Sequence, residues 1–184
     1  SLIGVPGLFK CWKKGNVGII NALGTGVADD KAVYSYVNKM IVYYLGEQPK
    51  LNQVETFLCE NKVHRQHVIE NIAKLVVKPA NASGGYGIMI GPKAPKKERE
   101  EMVKKIKKNP REFVAQPLEI LSTIPTICEN GIEPRHLDLR PFILTGKTSY
   151  VTTGGLTRVA LRKGSTIVNS SQGGGSKDTM VVDA

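Results

Sequence analysis

The stretch that decides the fold runs from Leu75 to Gly91 and reads LVVKPANASGGYGIMIG. Its start, Leu75–Pro79, is rich in β-branched residues and predicts a strand, and Gly87–Gly91 predicts a second strand. The Asn, Ser and Gly residues between them predict a long hairpin loop. Lys78 lies at the end of the first strand, and glycines allow backbone N–H groups to close over phosphates. The pattern therefore indicates a polyphosphate-binding hairpin, with a plain hairpin that carries an exposed lysine as the alternative.

The chain has 184 residues, enough for one well-buried core or for two small lobes that share a cleft. Its apolar fraction of 41% is typical of globular proteins. We expect no membrane span and no secretory signal, because the apolar runs are short and a basic leader is missing. Cys11, Cys59 and Cys128 form no disulfide or metal-ligand pattern and favour a reducing cytoplasm. The chain lacks an initiator Met, so we expect a fragment of a longer protein.

The formal charge of +10 needs an explanation, because a basic excess can serve nucleic acid, an anionic membrane or a polyphosphate. Much of it comes from Lys93–Arg111, where Met102, Val103 and Ile106 form an apolar stripe. This spacing predicts an amphipathic helix that begins at Pro95 and exposes its charged side to solvent. A nucleic-acid-binding face is the alternative, although no aromatic residues interleave with the lysines to stack on bases.

The other predicted elements are helices and antiparallel strands. In chain order they are a strand over Val17–Asn21, a helix over Asp29–Leu45 stopped by Gly46, a helix over Lys62–Ala73, an extended segment over Phe113–Gln116, a hairpin of Leu137–Arg140 with Ser149–Thr153, and a strand over Ser165–Asn169 that leads into the glycine-rich Gln172–Ser176. The strands occur in antiparallel groups, without the regular βαβ alternation of a doubly wound sheet. The sequence therefore predicts an α+β fold.

Two arginines are candidate anion ligands. Strand alternation puts Asp138 and Arg140 on one face, where the arginine would clamp a carboxylate or phosphate and the aspartate would orient it. Arg158 is a second candidate, and a structural ion pair is the alternative reading of these residues. His64 and His67 are three residues apart in a predicted helix but lack a Cys or carboxylate partner, so surface positions are favoured over metal binding. No Ser-His-Asp or Cys-His arrangement supports hydrolysis by a protein nucleophile.

Taken in order, these segments resemble the circularly permuted ATP-grasp family, including proteins of the glutathionylspermidine synthase type, over nearly the whole chain. The resemblance rests on a set of motifs: Asn21-Ala-Leu-Gly-Thr-Gly, Asp30-Lys31, Val77-Lys78-Pro79 with Ser83-Gly-Gly-Tyr-Gly, Gln116-Pro117, Asp138-Leu-Arg140-Pro-Phe, and Gly154-Gly-Leu-Thr-Arg158 with Asn169-Ser-Ser-Gln-Gly-Gly-Gly-Ser-Lys-Asp. It implies two α+β lobes with the nucleotide between them. The lid lobe would cover residues 74–118, and the core lobe residues 1–73 and 119–184.

The resemblance also assigns roles to particular residues, each written here as an expectation. They are Lys31 and Lys78 at the ATP phosphates; Ser83, Gly84, Gly85 and Gly87 in a mobile lid over them; Gln116 at the hinge beside the adenine; Arg140 and Arg158 at the transferred phosphoryl group or acyl phosphate; Asn169 along the same cleft; and Asn21 as a ligand of Mg²⁺.

One position departs from the family's pattern. In unpermuted relatives a Glu-x-Asn strand binds magnesium and comes last, whereas here the matching strand Val17–Asn21 comes first and has Ile19 in place of the acidic residue. Because a hard cation prefers carboxylates, the acidic ligand would have to come from sequence before Ser1.

The function that the resemblance implies is an ATP- and Mg²⁺-dependent ligase. It would join a carboxylate to an amine through an acyl phosphate and release ADP, with ATP and the two substrates as partners and no membrane. Two other hypotheses stay open. One is a nucleotide-binding module without ligase activity, which Ile19 favours, and the other is a basic nucleic-acid-binding domain.

Overall fold

The computed structural model of the protein describes residues 4–21, 23–82, 85–129, 131–160, 162–165, 168 and 175–182. The chain divides into two compact units, residues 1–53 and residues 54–184. Helices are combined with two antiparallel sheets, which confirms the predicted α+β class. Among the described residues, no helix combines the length and the apolar character needed to cross a membrane.

The first unit is helical in its described part. It contains helix α1 (Leu8–Lys13), a 3₁₀ turn (Thr25–Asp29), helix α2 (Lys31–Tyr34) and helix α3 (Val37–Leu45). As predicted, Asp30 caps a helix: its side chain accepts a hydrogen bond from the Ala32 N–H at 2.8 Å. Gly46 ends α3 in the left-handed conformation, as its position predicted. None of the described side chains of this unit is buried.

Two predictions for the first unit are wrong. Residues 17–21 do not form a strand, and the Ile20 side chain is 98% exposed. A strand needs a neighbouring strand to pair its backbone groups, and 17–21 belong to neither sheet of the described structure. The helix predicted over Asp29–Leu45 is broken after Tyr34, where the Ser35 hydroxyl donates to the Ala32 carbonyl oxygen at 2.8 Å. Such local bonds compete with helix propagation.

The second unit begins with a sheet covered by two helices. The first sheet contains β1 (Phe57–Leu58), β2 (Leu75–Pro79), β3 (Met89–Ile90) and β4 (Phe113–Pro117) in the order β1-β4-β2-β3, all antiparallel. The helices are α4 (Lys62–Glu70) and α5 (Lys96–Lys108). The predicted strand over Leu75–Pro79 and the helix opened by Pro95 are confirmed, and the hairpin partner predicted over Gly87–Gly91 is confirmed for Met89–Ile90 only. The predicted helix over Lys62–Ala73 is confirmed in its start and ends three residues early.

One hydrophobic cluster joins this sheet to its helices. It combines alternate strand residues with the inner faces of the helices and includes Val68, Ile72, Leu75, Val77, Met89, Met102, Ile106 and Ala115. Because neighbours along a strand point to opposite faces, Val76, Lys78 and Gln116 lie on the other face of the sheet. The core therefore fixes the strands from one side and leaves Lys78 on the other side.

The second sheet is an antiparallel meander. It contains β5 (Thr123–Cys128), β6 (Gly131–Thr145), β7 (Ser149–Val159) and β8 (Gly175–Met180) in the order β5-β6-β7-β8. The predicted hairpin of Leu137–Arg140 with Ser149–Thr153 is confirmed, and its strands are longer than expected. Lys177 on β8 donates a hydrogen bond to the Pro125 carbonyl oxygen on β5 at 2.5 Å. The two edge strands therefore approach each other, which shows that the sheet is strongly curled.

The strands at the edges of this sheet were not predicted. The sequence indicated only a glycine-rich segment up to Ser176. In the structure, Gly175 and Ser176 are the first residues of β8, and β8 pairs with β7 from Val159 to Gly154. Glycine has little intrinsic preference for strands, so the hydrogen bonds of β7 decide this conformation. The strand predicted over Ser165–Asn169 includes positions outside the described residues.

Candidate functional site

The polar face of the first sheet carries a chain of hydrogen bonds that ends at Lys78. The Lys78 ammonium donates to Gln116 Oε1 at 2.5 Å, and Gln116 Nε2 donates to Thr56 Oγ1 at 2.8 Å. The register explains the arrangement: Gln116 on β4 lies opposite Val76 on β2, so Lys78 is its diagonal neighbour on the same face. This hydrogen bond holds the ammonium in a defined position on the sheet.

The loop after Lys78 uses glycine where backbone conformation requires it. Gly85 and Gly87 have φ angles of 80° and 72°, in the left-handed region. A Cβ on Gly87 would also lie 2.9 Å from Pro79 Cγ, so the chain can pass this point only as glycine. Ser83 and Gly84 lie outside the described residues. The described part of the loop has the glycine-based geometry that suits a backbone approach to phosphate.

A second polar face lies on the second sheet. Asp138 on β6, Arg158 on β7 and Ser176 on β8 form one row across the sheet. Two residues further along, Arg140 and Asp178 flank Leu156 in the next row of the same face. The sheet thus gathers two arginines and two carboxylates on one surface, which we call the charged face (Asp138, Arg140, Arg158, Ser176 and Asp178).

An ion pair orders part of the charged face. Arg140 Nη2 and Nε both donate to Asp138 Oδ2, at 2.6 and 3.1 Å. The hydrogen bond from Arg140 to Asp138 raises the pKa of Arg140 above its ordinary value, and burial opposes this effect only in part. The Arg140 side chain is 46% exposed, so it is held in place and still accessible to a ligand.

Two buried polar atoms on the charged face have no hydrogen-bond partner within the described part of the chain. They are Asp138 Oδ1 and Arg158 Nε, which belong to residues directly opposite each other on β6 and β7. An unpaired buried polar group costs about 1–3 kcal/mol, so such groups usually mark a place for a ligand, ion or water. Arg158 Nε suits a phosphate or carboxylate oxygen, and Asp138 Oδ1 suits a hard cation.

The other sequence-predicted residues are distributed over both units. Asn21 and Lys31 belong to the first unit: Asn21 is exposed at a bend, and Lys31 is the half-buried first residue of α2. Asn169 lies outside the described residues. Within the described residues, no group of three or more His, Cys, Asp or Glu side chains is arranged to hold a metal ion. The two carboxylates on the charged face are those of Asp138 and Asp178.

Sequence reasoning gave no site role to three members of these faces, Thr56, Ser176 and Asp178. Thr56 directly precedes β1, a strand of two residues that gives almost no periodic signal. Asp178 follows a glycine-rich segment, and only the pairing of β8 with β7 puts it on the charged face. The alternation Ser176, Asp178, Met180 would have indicated this face if the strand had been recognised.

Comparison with known sequences identifies the class of protein that combines these features. The profile of the family described as circularly permuted ATP-grasp type 2 matches residues 1–160. The chain therefore belongs to the circularly permuted ATP-grasp family, which confirms the resemblance drawn from the motifs.

The chain is also similar to several bacterial proteins. It is 55% identical over 183 residues to an uncharacterised protein of Synechocystis, covering 99% of this chain and 38% of the relative. It is 51% identical over 183 residues to an uncharacterised protein of Mycobacterium tuberculosis, covering 99% of this chain and 33% of the relative. A Frankia casuarinae protein that is provisionally named a glutamate–cysteine ligase is 48% identical over 179 residues, covering 97% of this chain and 21% of the relative. The chain thus spans little more than a third, or less, of these relatives.

Proposed function

We propose that the protein is an ATP- and Mg²⁺-dependent ligase that joins a carboxylate to an amine and releases ADP. The observation that carries the proposal is the charged face, where Arg158 Nε and Asp138 Oδ1 are buried without a partner among the described residues beside the Arg140–Asp138 ion pair. The family membership supplies the chemical class, and Lys78 supplies a cation for the triphosphate.

The proposed reaction has two steps. A carboxylate oxygen attacks the γ-phosphorus of ATP and ADP leaves, which gives an acyl phosphate; the amine then attacks the acyl carbon and phosphate leaves. No protein nucleophile is needed, so catalysis depends on positioning and on neutralising charge. Arg140 and Arg158 are suited to the negative charge on the transferring phosphoryl group, since they are cations held on a preorganised strand surface. Bound Mg²⁺ would further neutralise the phosphates, with Asp138 as a candidate oxygen donor.

The basic helix α5 supports this proposal over a nucleic-acid-binding function. It carries seven Lys and Arg residues and three Glu, but Met102 and Ile106 are buried in the hydrophobic cluster, so its charges form the outer layer of the unit. We expect ATP with Mg²⁺ to raise the melting temperature of the protein and duplex DNA to leave it unchanged. The opposite pattern would favour the nucleic-acid-binding hypothesis.

Turnover is tested by ADP release from the intact protein. We expect release only when a carboxylate and an amine are both supplied together with ATP and Mg²⁺. Glutamate with cysteine is a pair to include, because the Frankia relative carries that name, and the set should extend to other amino acids since the chain covers only a fifth of that relative. Binding of ATP without ADP release for any pair would favour a nucleotide-binding module without ligase activity.

The Lys78 assignment is tested by a substitution with a matched control. Lys78→Ala should weaken ATP binding at least tenfold in isothermal titration calorimetry, because a cation that contacts phosphate is removed. Lys97→Ala removes the same charge from an exposed position on α5 and should leave the affinity near that of the parent. Equal ATP affinity in the Lys78 variant and the parent would contradict the assignment.

A further inference from the structure

We infer that Thr56 is a positioning residue for Lys78: it sets the orientation of the Gln116 side-chain amide, which in turn holds the ammonium. This inference rests on the proposed function, because it assumes that Lys78 binds the phosphates of the nucleotide. The three residues come from three adjacent strands or their ends, β1, β4 and β2, and they lie on the polar face of the first sheet.

The hydrogen bonds along this face run in a single direction. Lys78 donates to Gln116 Oε1, Gln116 Nε2 donates to Thr56 Oγ1, and Thr56 Oγ1 donates to the Val54 carbonyl oxygen at 3.0 Å. A lysine ammonium can only donate, and a main-chain carbonyl can only accept. Lys78 can therefore only be the first donor of this series, and the Val54 carbonyl can only be its last acceptor.

The Thr56 hydroxyl connects the two fixed ends of this series, the ammonium and the Val54 carbonyl. A glutamine side chain can present either its carbonyl or its NH₂ group to a neighbour, since rotation by half a turn exchanges the two. When the Thr56 proton is used by the Val54 carbonyl, the hydroxyl oxygen offers lone pairs to Gln116, and the amide turns its NH₂ group toward Thr56. Its carbonyl oxygen then faces Lys78. In the reversed orientation the NH₂ group would face an ammonium, and neither group could accept.

The surrounding sheet makes a fixed orientation possible. Val76 and Val114, which share this face with Lys78 and Gln116, are both buried. On the other face, Val77 and Ala115 are fully buried in the strands β2 and β4. Their backbones therefore have little freedom, and the side-chain hydrogen bonds determine where the ammonium lies. A preorganised cation binds phosphate more tightly than one that must first be ordered.

The test compares nucleotide affinities of the intact protein and three variants. Thr56→Val keeps the shape of the side chain and removes the hydroxyl, and Thr56→Ser keeps the hydroxyl. Thr126→Val is the matched control, because Thr126 Oγ1 also donates to the carbonyl two residues earlier, at 3.1 Å from Ile124 O, but accepts from no side-chain amide among the described residues. Calorimetry measures the Kd of ATP with Mg²⁺ and the Kd of adenosine for each protein.

We expect Thr56→Val to weaken ATP binding about fivefold to tenfold, the effect of one hydrogen bond between neutral groups, while the Kd of adenosine stays unchanged. Thr56→Ser and Thr126→Val should both stay within about twofold of the parent. A role confined to packing would affect adenosine and ATP alike, so the difference between the ligands identifies positioning of a phosphate-binding group. Thr56→Ala serves as a second removal of the hydroxyl if the valine variant does not fold.

Two results would overturn the inference. Unchanged ATP affinity in Thr56→Val, with Lys78→Ala strongly weakened, would show that Lys78 needs no positioning by Thr56 although the proposed function holds. Equal weakening in Thr56→Val and Thr56→Ser would assign the effect to packing and not to the hydroxyl. If Lys78→Ala binds ATP as tightly as the parent, the proposed function fails. This failure can be told apart from failure of the inference, because it is measured on the Lys78 variant and not on the Thr56 variants.

Discussion

At the scale of single residues, the two polar faces hold their cations in different ways. Lys78 is hydrogen bonded to a neutral amide, whereas Arg140 is paired with the carboxylate of Asp138. A neutral acceptor orients a cation and leaves its charge available, while a carboxylate orients it and offsets part of the charge. We propose the ATP triphosphate as the ligand of Lys78. Arg140, held rigidly, is suited to charge that develops during phosphoryl transfer.

Cys59 offers a residue-scale prediction about stability and pH. It is fully buried, and burial raises the pKa of its thiol to about 11 from an ordinary 9.0, with the positive charge of Arg65 opposing the shift. Above pH 9 the unfolded chain has lost this proton and the folded chain keeps it, so stability falls as pH rises through the range from about 9 to 11. We expect Cys59 to account for about 2 kcal/mol of lost unfolding free energy between about pH 8.5 and pH 10.5.

The measurement is urea unfolding of the parent and of Cys59→Ala at both pH values. The alanine variant should be less stable at the lower pH, because a small cavity is created, and should lose less stability on going to the higher pH. Parallel losses in the two proteins would contradict the assignment. Other groups that titrate in this range cancel in the comparison, since both proteins contain them.

At the scale of elements, the hairpin of β2 and β3 depends on a glycine at its far end. Gly91 is buried where its N–H donates to the Leu75 carbonyl oxygen, and a Cβ there would lie 2.0 Å from the Ile72 carbonyl oxygen and 2.6 Å from the Leu75 carbonyl oxygen. Both obstacles are backbone atoms, so they cannot move as a flexible side chain would. Gly91→Ala should therefore destabilise the protein by about 2 kcal/mol or more in urea unfolding.

The matched control for this prediction is Gly175→Ala. Gly175 also lies in a strand of the second unit, but a Cβ there has no atom of the described residues within 4 Å. Its unfolding free energy should stay within about 0.5 kcal/mol of the parent. Similar effects of the two substitutions would show that close backbone approach is not what requires glycine at position 91.

The elements also show which sequence signals are dependable. The strand Leu75–Pro79 was predicted to the residue, because β-branched residues bounded by turn signals act locally. The apolar run at residues 17–21 has a similar composition and is not a strand, since it has no described neighbour to pair with. Local pattern is sufficient where a partner strand exists and misleading where it does not.

At the scale of the whole molecule, the two units differ in how well they bury their own residues. The second unit contains the hydrophobic cluster, whereas the described side chains of the first unit are all exposed or half-buried. Amides in well-packed strands open only with large parts of the structure, and amides of sparsely packed helices open locally. Stability within this chain should therefore be strongly uneven.

Hydrogen–deuterium exchange followed by mass spectrometry checks this prediction. Peptides that cover β2 and β4 should exchange slowest, and peptides that cover α1 and α3 should exchange faster than peptides that cover α4 and α5. The expected difference is at least about a hundredfold, corresponding to about 3 kcal/mol of opening free energy. Equal protection of the amides in α3 and β2 would contradict the prediction. Helix α3 would then need stabilising contacts that the first unit does not supply.

The sequence alone determined the α+β class and the family, and it predicted the chemistry of the candidate site. These depend on local information: glycines and β-branched residues at the Lys78 hairpin, alternation in Asp138-Leu139-Arg140, and ordered motifs that survive without any knowledge of contacts. The predicted Asp138–Arg140 ion pair follows from strand alternation and is present at 2.6 Å. The roles of the other site residues stay predictions.

Only the tertiary structure decided which further residues lie beside the predicted site residues. Thr56 and Gln116 are 60 residues apart along the chain, and Gln116 and Lys78 are 38 residues apart. Only the pairing of β1, β4 and β2 brings the three together. Asp178 reaches the charged face only because β8 pairs with β7. Register between distant strands is a property of the assembled sheet, where each strand supplies the hydrogen bonds of the next. No window of local sequence contains that information.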